Sequence, residues 1–402
     1  MDPRHAAAGI VFAATFLLLA LGRIGGKPAK RGWSAMAGGV ATLALLVPSD
    51  LGFDVWRLVD WQVIGLLAGL MVLAGLADAV GLFAGLRRHL VHLHPGLALW
   101  TALAVVAATS AILLNDAAVV VLVPFFVPMV IALGLPPVPS VTLMAVAANV
   151  GSLLTPFGNP QDAVLARTAH LGIVDFLRVQ ALFVALGMAL LGVACWWLSR
   201  SCPRVPQPRI EPRSARGRPF LVACILVFLA LAAAGPAWLG LGGAACVAAA
   251  LAYAGLRPWI GRPADRAAID GLDWNVLLLF VGLYFLTAGM STWFPSARLN
   301  VAHLTTAASA GVATTALSNT VGNVPAILAF LRLDPAWTAT HAMFLVSVST
   351  LGGALLLTGS AASLLAADAA RKAGIEVRFL PFLRTAVPWV LPVLLIAGWR
   401  TF

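Results

Sequence analysis

The stretch ANVGSLLTPFGNPQDAV, residues 148–164, places helix-breaking and polar residues inside an apolar region. Between Asn149 and Asp162 it holds two prolines, two glycines and several side chains that form hydrogen bonds. Proline removes a backbone donor and ends or kinks a helix. Because the flanking residues are apolar, the stretch predicts a helix that is interrupted in its centre.

The composition indicates that this interruption lies within a membrane. Apolar residues make up 61% of the 402 positions and charged residues only 10%, whereas an average soluble domain has roughly a quarter charged residues. Apolar runs long enough to cross roughly 30 Å of hydrocarbon recur from end to end. We therefore predict an all-α polytopic membrane protein with about 10 transmembrane helices.

The distribution of charge predicts the topology and the domain boundaries. The net charge of +11 lies mainly in short loops between apolar runs, which is the positive-inside pattern and excludes nucleic acid as a partner. Residues 1–32 form an N-terminal transmembrane helix that the following basic residues mark as uncleaved. Residues 199–219, rich in proline and arginine, are predicted to be a cytoplasmic linker between residues 33–198 and 220–402.

These two long segments resemble each other. Asp60-Trp61 begins an apolar run that matches the run after Asp273-Trp274 at an offset of 213, and Gly69 falls on Gly282. Asn115 falls on Asn323 at an offset of 208, and the stretch from residue 149 to 159 falls on 350 to 360 at an offset of 201. Three matches in one order indicate a duplication.

The loop charges orient the two copies in opposite directions across the membrane. The run after Trp61 passes from outside to inside, whereas the run after Trp274 passes from inside to outside. Inverted repeats with broken helices at the membrane midplane are typical of secondary transporters. This pattern predicts two re-entrant hairpins, at about 96–135 and 301–334, and two broken helices, at about 140–170 and 337–370.

Ionisable residues within a membrane are costly and usually functional. Asp116 and Asp162 lie on the breaks themselves, and their repeat partners, Val324 and Ser363, are neutral. We therefore expect one principal cation or proton site, in the first repeat. Asp78 and Asp368 fall near the cytoplasmic ends of their spans, where a structural role is the stronger expectation.

Four stretches resemble the ion transporter superfamily, and within it the arsenite-permease and citrate-transporter-like group, related to the divalent-anion:sodium symporters. They are LLNDAAVVVLVP (113–124), ANVGSLLTPFGNPQDAV (148–164), SNTVGNVPAIL (318–328) and LGGALLLTGSAAS (351–363). The resemblance implies a homodimer, a scaffold part and a mobile transport part in each protomer, and elevator-like alternating access. It also places Asn115 and Asn323 at the two hairpin tips.

The sequence departs from the symporter pattern at those tips. Dicarboxylate symporters carry Ser-Asn-Thr at both, whereas here the aligned tips are Leu114-Asn115-Asp116 and Gly322-Asn323-Val324. A Ser-Asn-Thr does occur at residues 318–320, but five residues away from the aligned position. These departures weaken the expectation of a dicarboxylate substrate.

These observations lead to a hypothesis of a multi-pass inner-membrane permease that moves a small inorganic or organic anion coupled to protons or sodium. It is not an enzyme and has no cofactor beyond the coupling ion. A sodium/proton antiporter on the same fold is the nearest alternative, and a channel is a further alternative. The expected substrate-binding residues are Asn115, Gly158, Asn159, Asn323, Gly359 and Ser360. The expected coupling residues are Asp116, Asp162, Asn149, Ser152 and Thr155, with sodium at Asn115, Asp116 and Asn159.

Overall fold

The structure is a computed structural model that describes residues 3–21, 23–24, 27–28, 30–46, 55–82, 88–168, 170–200, 202, 217–234, 236, 238–262, 265–266, 270, 272–293, 307–321, 323, 326–327 and 339–400. Its helices are α1 Pro3–Leu21, α2 Arg31–Leu46, α3 Trp61–Ala79, α4 Pro95–Ile112, α5 Asn115–Ala132, α6 Pro137–Ser152, α7 Pro160–Thr168, α8 Ile173–Ser199, α9 Arg218–Ala234, α10 Gly240–Ile260, α11 Trp274–Trp293, α12 Ala307–Val321, α13 Ala339–Leu355, α14 Ala361–Lys372 and α15 Phe379–Arg400.

The fold is all-α and polytopic. Among the described residues, five helices are long and apolar enough to cross a membrane, namely α4, α5, α8, α10 and α15, and five shorter helices are also apolar. A 3-10 turn covers Val55–Leu58. The structure adds one small feature that hydropathy did not predict, an antiparallel pair of two-residue strands, β1 Arg23–Ile24 and β2 Lys27–Pro28.

Two groups of helices pack within themselves. We call α1, α2, α3, α9, α10 and α11 the frame bundle, and the remaining helices, α4–α8 and α12–α15, the site bundle. In the frame bundle the main contacts are between α2 and α11 and between α3 and α10. The site bundle touches the frame bundle chiefly where α5 packs on α3.

The frame bundle makes the same contact twice, once in each half of the chain. Gln62, near the start of α3, accepts a hydrogen bond from the backbone N–H of Gly242 on α10, at 2.9 Å. Asn275, near the start of α11, accepts one from the backbone N–H of Gly32 on α2, at 3.0 Å. Gln62 and Asn275 are related by the sequence offset of 213, so the structure has the inverted repeat that the sequence indicates.

Helix starts are also repeated. Asp60 caps α3 by accepting hydrogen bonds from the backbone N–H groups two and three residues later, and Asp273 caps α11 in the same way. A carboxylate at the N-terminus of a helix satisfies free donors and complements the helix dipole. The Asp-Trp signature therefore marks the beginning of one transmembrane helix in each half.

The first hairpin, formed by α4 and α5, turns back inside the bundle. Each of its helices has 18 residues, about 27 Å at 1.5 Å per residue, whereas the neighbouring α8 has 27 residues, about 40 Å. The Trp100 indole Nε1 donates to the Met188 carbonyl of α8 at 3.3 Å. Both helices of the hairpin are therefore shorter than α8, on which α4 packs.

Several predicted features fall wholly or partly outside the described residues. The cytoplasmic linker is described only at its ends, because residues 203–216 lie outside. The second hairpin is described at 307–321, at Asn323 and at 326–327, so Val324 lies outside as well.

Candidate functional site

The tip of the first hairpin rests on the loop that separates α6 from α7. The backbone N–H of Asn115 donates to the carbonyl of Gly158 at 2.9 Å. From the loop, the Thr155 hydroxyl donates to the carbonyl of Ala111, in the last turn of α4. Because α6 ends at Ser152 and α7 begins only at Pro160, these contacts provide partners for backbone groups that the broken helix leaves free.

Asn149 connects the two repeats. Its side-chain oxygen accepts one hydrogen bond from the Asn115 amide at 3.2 Å and another from the Ser360 hydroxyl at 3.1 Å. Its own amide donates to the Ala145 carbonyl at 2.9 Å. Asn115 and Asn149 belong to the first repeat and Ser360 to the second, so the buried Asn149 Oδ1 atom links the two repeats.

A second group of polar side chains lies on the same loop. The Asn159 amide donates to the Ser152 hydroxyl at 2.8 Å and to Asp162 Oδ2 at 2.9 Å. The Ser152 hydroxyl donates to the Asn149 carbonyl at 2.8 Å. Asp162 is fully buried, and its other oxygen, Oδ1, has no hydrogen-bond partner among the described residues.

Asp116 lies where helix starts from the two repeats approach each other. It is in the first turn of α5 and is 6% exposed, and its carboxylate lies near the backbone N–H of Ala362 at the start of α14. Ser360, the N-cap of α14, makes no side-chain capping bond to its own helix. The positive ends of the two helix dipoles therefore face a region that contains an acidic group.

The loop of the second repeat has the same backbone arrangement. A methyl group at Gly158 would clash with the Ser152 carbonyl, and one at Gly359 would clash with the Gly353 carbonyl. Both pairs are related by the offset of 201 that the sequence repeat gives. In each repeat, a glycine therefore allows the loop to fold back on the end of the preceding helix.

The second hairpin contacts this loop through Asn319. Its amide donates to the carbonyls of Thr315 and Gly352, at 2.8 and 3.1 Å, and its oxygen lies where a side chain at Gly359 would be. The side-chain oxygens of Asn319 and Asn323 are buried without a hydrogen-bond partner among the described residues. Asn319 was missed as a site residue, although the Ser-Asn-Thr motif at residues 318–320 was a signal for it.

Two further buried contacts were also missed. The Gln161 amide donates to the Thr350 hydroxyl at 3.0 Å, and the Ser318 hydroxyl donates to the Ser349 hydroxyl at 2.8 Å. Gln161 belongs to the first repeat and Thr350 to the second. The repeat offset of 201 aligns Thr350 with Asn149, and that alignment was the available signal for its place in the site.

The structure thus brings most of the predicted site residues into one buried cluster. Asn115, Asn149, Ser152, Asn159, Asp162 and Ser360 are joined by the hydrogen bonds above, with Gly158, Thr155 and Asp116 beside them. Asn323 of the second hairpin and Gly359 of the second loop both lie near Gly353. The cluster offers amide, hydroxyl and carboxylate oxygens, which suit a cation, and helix N-termini, which suit an anion.

This architecture, an inverted repeat of membrane helices with broken segments around a buried polar cluster, is that of a membrane transporter. The family model described as "Citrate transporter" matches residues 16–340. The chain therefore belongs to the citrate transporter family.

Individual relatives agree over most of the chain. The inner membrane protein YbiR of Escherichia coli is 30% identical over 85% of this chain and 90% of its own length. The silicon efflux transporter LSI3 of Oryza sativa is 24% identical over 92% and 91%. Among solved structures, the YdaH transporter of Alcanivorax borkumensis matches 98% of this chain and 97% of its own, at 16% identity and a TM-score of 0.46.

Proposed function

We propose that this protein is a secondary active transporter that moves a small inorganic or organic anion across the inner membrane, coupled to protons or sodium. Transport proceeds by elevator-like alternating access, with the site bundle moving against the frame bundle. The protein works as a homodimer, as the resemblance to the superfamily implies. The name of YbiR as an inner membrane protein supports the choice of membrane.

The observation that carries this proposal is the shared hydrogen-bond acceptor Asn149 Oδ1. Through it, the start of α5 and the start of α14 meet at one buried point, next to Asp116. Helix starts attract anions, whereas Asp116 and Asp162 attract protons or cations. One site can therefore hold an anion and its coupling ion side by side, and each ion offsets the charge of the other.

The class of anions that we propose as substrates is broader than the citrate in the family's name. The family is described by citrate and one relative is named for silicon efflux, and these two substrates differ in size and charge. The polar groups of the cluster are uncharged amides and hydroxyls around two carboxylates. They favour a small, weakly charged anion or a weak acid over one with several negative charges.

The second candidate is a sodium/proton antiporter, and the Asp162 carboxylate favours it. Its Oδ1 atom is buried without a hydrogen-bond partner among the described residues. An unpartnered buried carboxylate oxygen is costly unless a proton or a cation occupies it. An antiporter would need this group and no anion.

The deciding experiment measures flux in proteoliposomes with a pH-sensitive dye. Proton and sodium gradients are imposed with and without candidate anions, starting with citrate, silicate and arsenite. Wild type is compared with Asp116→Asn and Asp162→Asn, which keep the shape of each side chain. Asp265→Asn is the matched control, because Asp265 follows α10 of the frame bundle and bonds to Tyr253 and Arg257.

Flux that requires one of the anions, that either site variant abolishes and that Asp265→Asn leaves intact supports the coupled permease. Sodium–proton exchange that ignores every anion supports the antiporter. If both site variants behave like wild type, the assignment of the two carboxylates is wrong, whatever the substrate.

A further inference from the structure

Charged side chains join the frame bundle to the site bundle at the cytoplasmic ends of their helices. Lys372, at the end of α14, pairs with Asp273, the cap of α11, at 2.9 Å. Asp368, one turn earlier on α14, accepts a hydrogen bond from the Asn275 amide of α11 at 2.7 Å. Arg31 of α2 lies 3.8 Å from Asp368 and donates to the Leu364 carbonyl at 3.5 Å.

A crevice lies beside these contacts. Its volume is about 300 Å³, and it runs between α3 and α11 of the frame bundle and α5 and α14 of the site bundle. Asp270, Asp273 and Lys372 line its cytoplasmic end. At the other end it reaches Val120, one helical turn from Asp116. In this conformation, therefore, the site lies close to a space that begins at the cytoplasmic side.

The residues of the other repeat that align with this set cannot form the same ion pairs. The offset of 213 relates Asp273 to Asp60, and the offset of 201 relates Lys372 to Leu171 and Asp368 to Arg167. The contacts Gly32–Asn275 and Gly242–Gln62 relate α2 to α10 at an offset of 210, which aligns Arg31 with Leu241. Two leucines thus occupy the places of the two basic residues.

We propose that the contacts of Lys372 with Asp273, and of Asp368 with Arg31 and Asn275, form a one-sided latch that favours the conformation open to the cytoplasm. The inference rests on the proposed alternating access. In an inverted repeat, exchanging the roles of the two halves converts one open conformation into the other. Interactions present on one side only stabilise one of the two conformations, because a shift in population requires a difference between the states.

The exposed pair offers the cleanest variants. Lys372 and Asp273 are 54% and 15% exposed, so neither charge of this ion pair is fully buried. Lys372→Gln removes the cation, and Asp273→Asn removes the anion while keeping an oxygen to cap α11. Asp368 is 2% exposed, and its substitution would expose the protein to unfolding, because breaking a buried charge pair is strongly destabilising.

The control is the ion pair between Arg257 and Asp265, also 2.9 Å long and 61% and 31% exposed. Arg257 lies near the end of α10 in the frame bundle and Asp265 follows α10 a few residues later, so this pair does not cross between bundles. Arg257→Gln therefore matches Lys372→Gln in chemistry and exposure but not in position.

The measurement is the distance distribution between spin labels, by double electron–electron resonance, in proteoliposomes. One label replaces Arg266 in the frame bundle and the other replaces Arg378 before α15, with the four native cysteines replaced by alanine. We expect Lys372→Gln and Asp273→Asn each to lower the ratio of the cytoplasm-open population to the other about two- to fivefold, the range for an exposed ion pair. The double variant should shift the ratio no further than either single variant.

Equal ratios in wild type and both variants would overturn the latch, as would an equal shift in Arg257→Gln or a single distance distribution that no variant alters. The flux assay on the same vesicles separates this result from the proposed function. Wild-type flux with unshifted populations sinks the latch alone, whereas shifted populations without any coupled flux leave the latch standing and sink the proposed transport activity.

Discussion

The loops of the two repeats share a backbone and differ in chemistry. In both loops, a glycine lies against the backbone carbonyl of the residue six positions earlier. Gly158 lies against Ser152, and Gly359 lies against Gly353. In the first loop, the Asn159 amide donates a hydrogen bond to the Asp162 carboxylate. In the second, the aligned residues are Ser360 and Ser363. Duplication has kept the geometry and confined the charge to one half.

This difference separates the residues that shape the backbone of the loop from the residue that provides the coupling chemistry. The break in the helix depends on glycine and proline, and both copies need it, because a straight helix would close the site. The coupling chemistry depends on the acidic side chain, and one copy is enough for it. Substitutions of residues that the two loops share should therefore differ in effect from substitutions of residues that differ between the loops.

The largest effect is expected from the residues that differ. Asp162→Asn should lower coupled flux on the order of 100-fold, similar to the loss of a positioned proton-transfer group. Ser363→Ala, at the aligned position, should change flux by less than about fivefold, the equivalent of one neutral hydrogen bond, because the Ser363 hydroxyl has no hydrogen-bond partner among the described residues. Initial rates in proteoliposomes measure both. Equal losses at the two positions would show that the repeats contribute equally to coupling.

A smaller effect is expected from the residues that the loops share. Gly158→Ala and Gly359→Ala should each destabilise the protein by about 1–3 kcal/mol, because the new methyl group meets backbone atoms. Gly9→Ala in α1, where no atom lies within 4 Å of the new group, is the matched control and should be neutral or slightly stabilising. Thermal unfolding in detergent measures the three variants. A difference between the two loop variants as large as their mean would contradict the shared geometry.

The smallest effect is expected in the frame bundle, where the repeats also differ by one contact. Gln62→Ala leaves the Gly242 N–H without its acceptor and should cost about 1 kcal/mol. Asn275→Ala does the same to Gly32 and also removes a donor from Asp368, so it should cost about 1 kcal/mol more. Unfolding midpoints of the two variants give the difference. If Asn275→Ala costs no more than Gln62→Ala, the hydrogen bond to Asp368 adds no stability.

The sequence alone predicted the class, the repeat and most of the buried cluster. Hydropathy and the positive-inside pattern are local properties of a chain in a bilayer, so they could be read without a structure. The broken helix at residues 148–164 was visible because proline and glycine act on their own backbone. The offsets of 213 and 201 could be read directly, since the duplication left them in the order of the residues.

The tertiary structure determined which residues contact each other, and no single stretch of the sequence contains that information. The contacts of Asn149 with both repeats, of Asn319 with the second loop, and of Arg31 and Asp273 with α14 all depend on long-range packing. A polar side chain can form hydrogen bonds wherever it lies in the sequence, but the fold determines its partner, because most buried polar groups bond to the groups that the packing brings near. The sequence therefore determined which residues could form a site, and only the packing of the two repeats determined which of them meet.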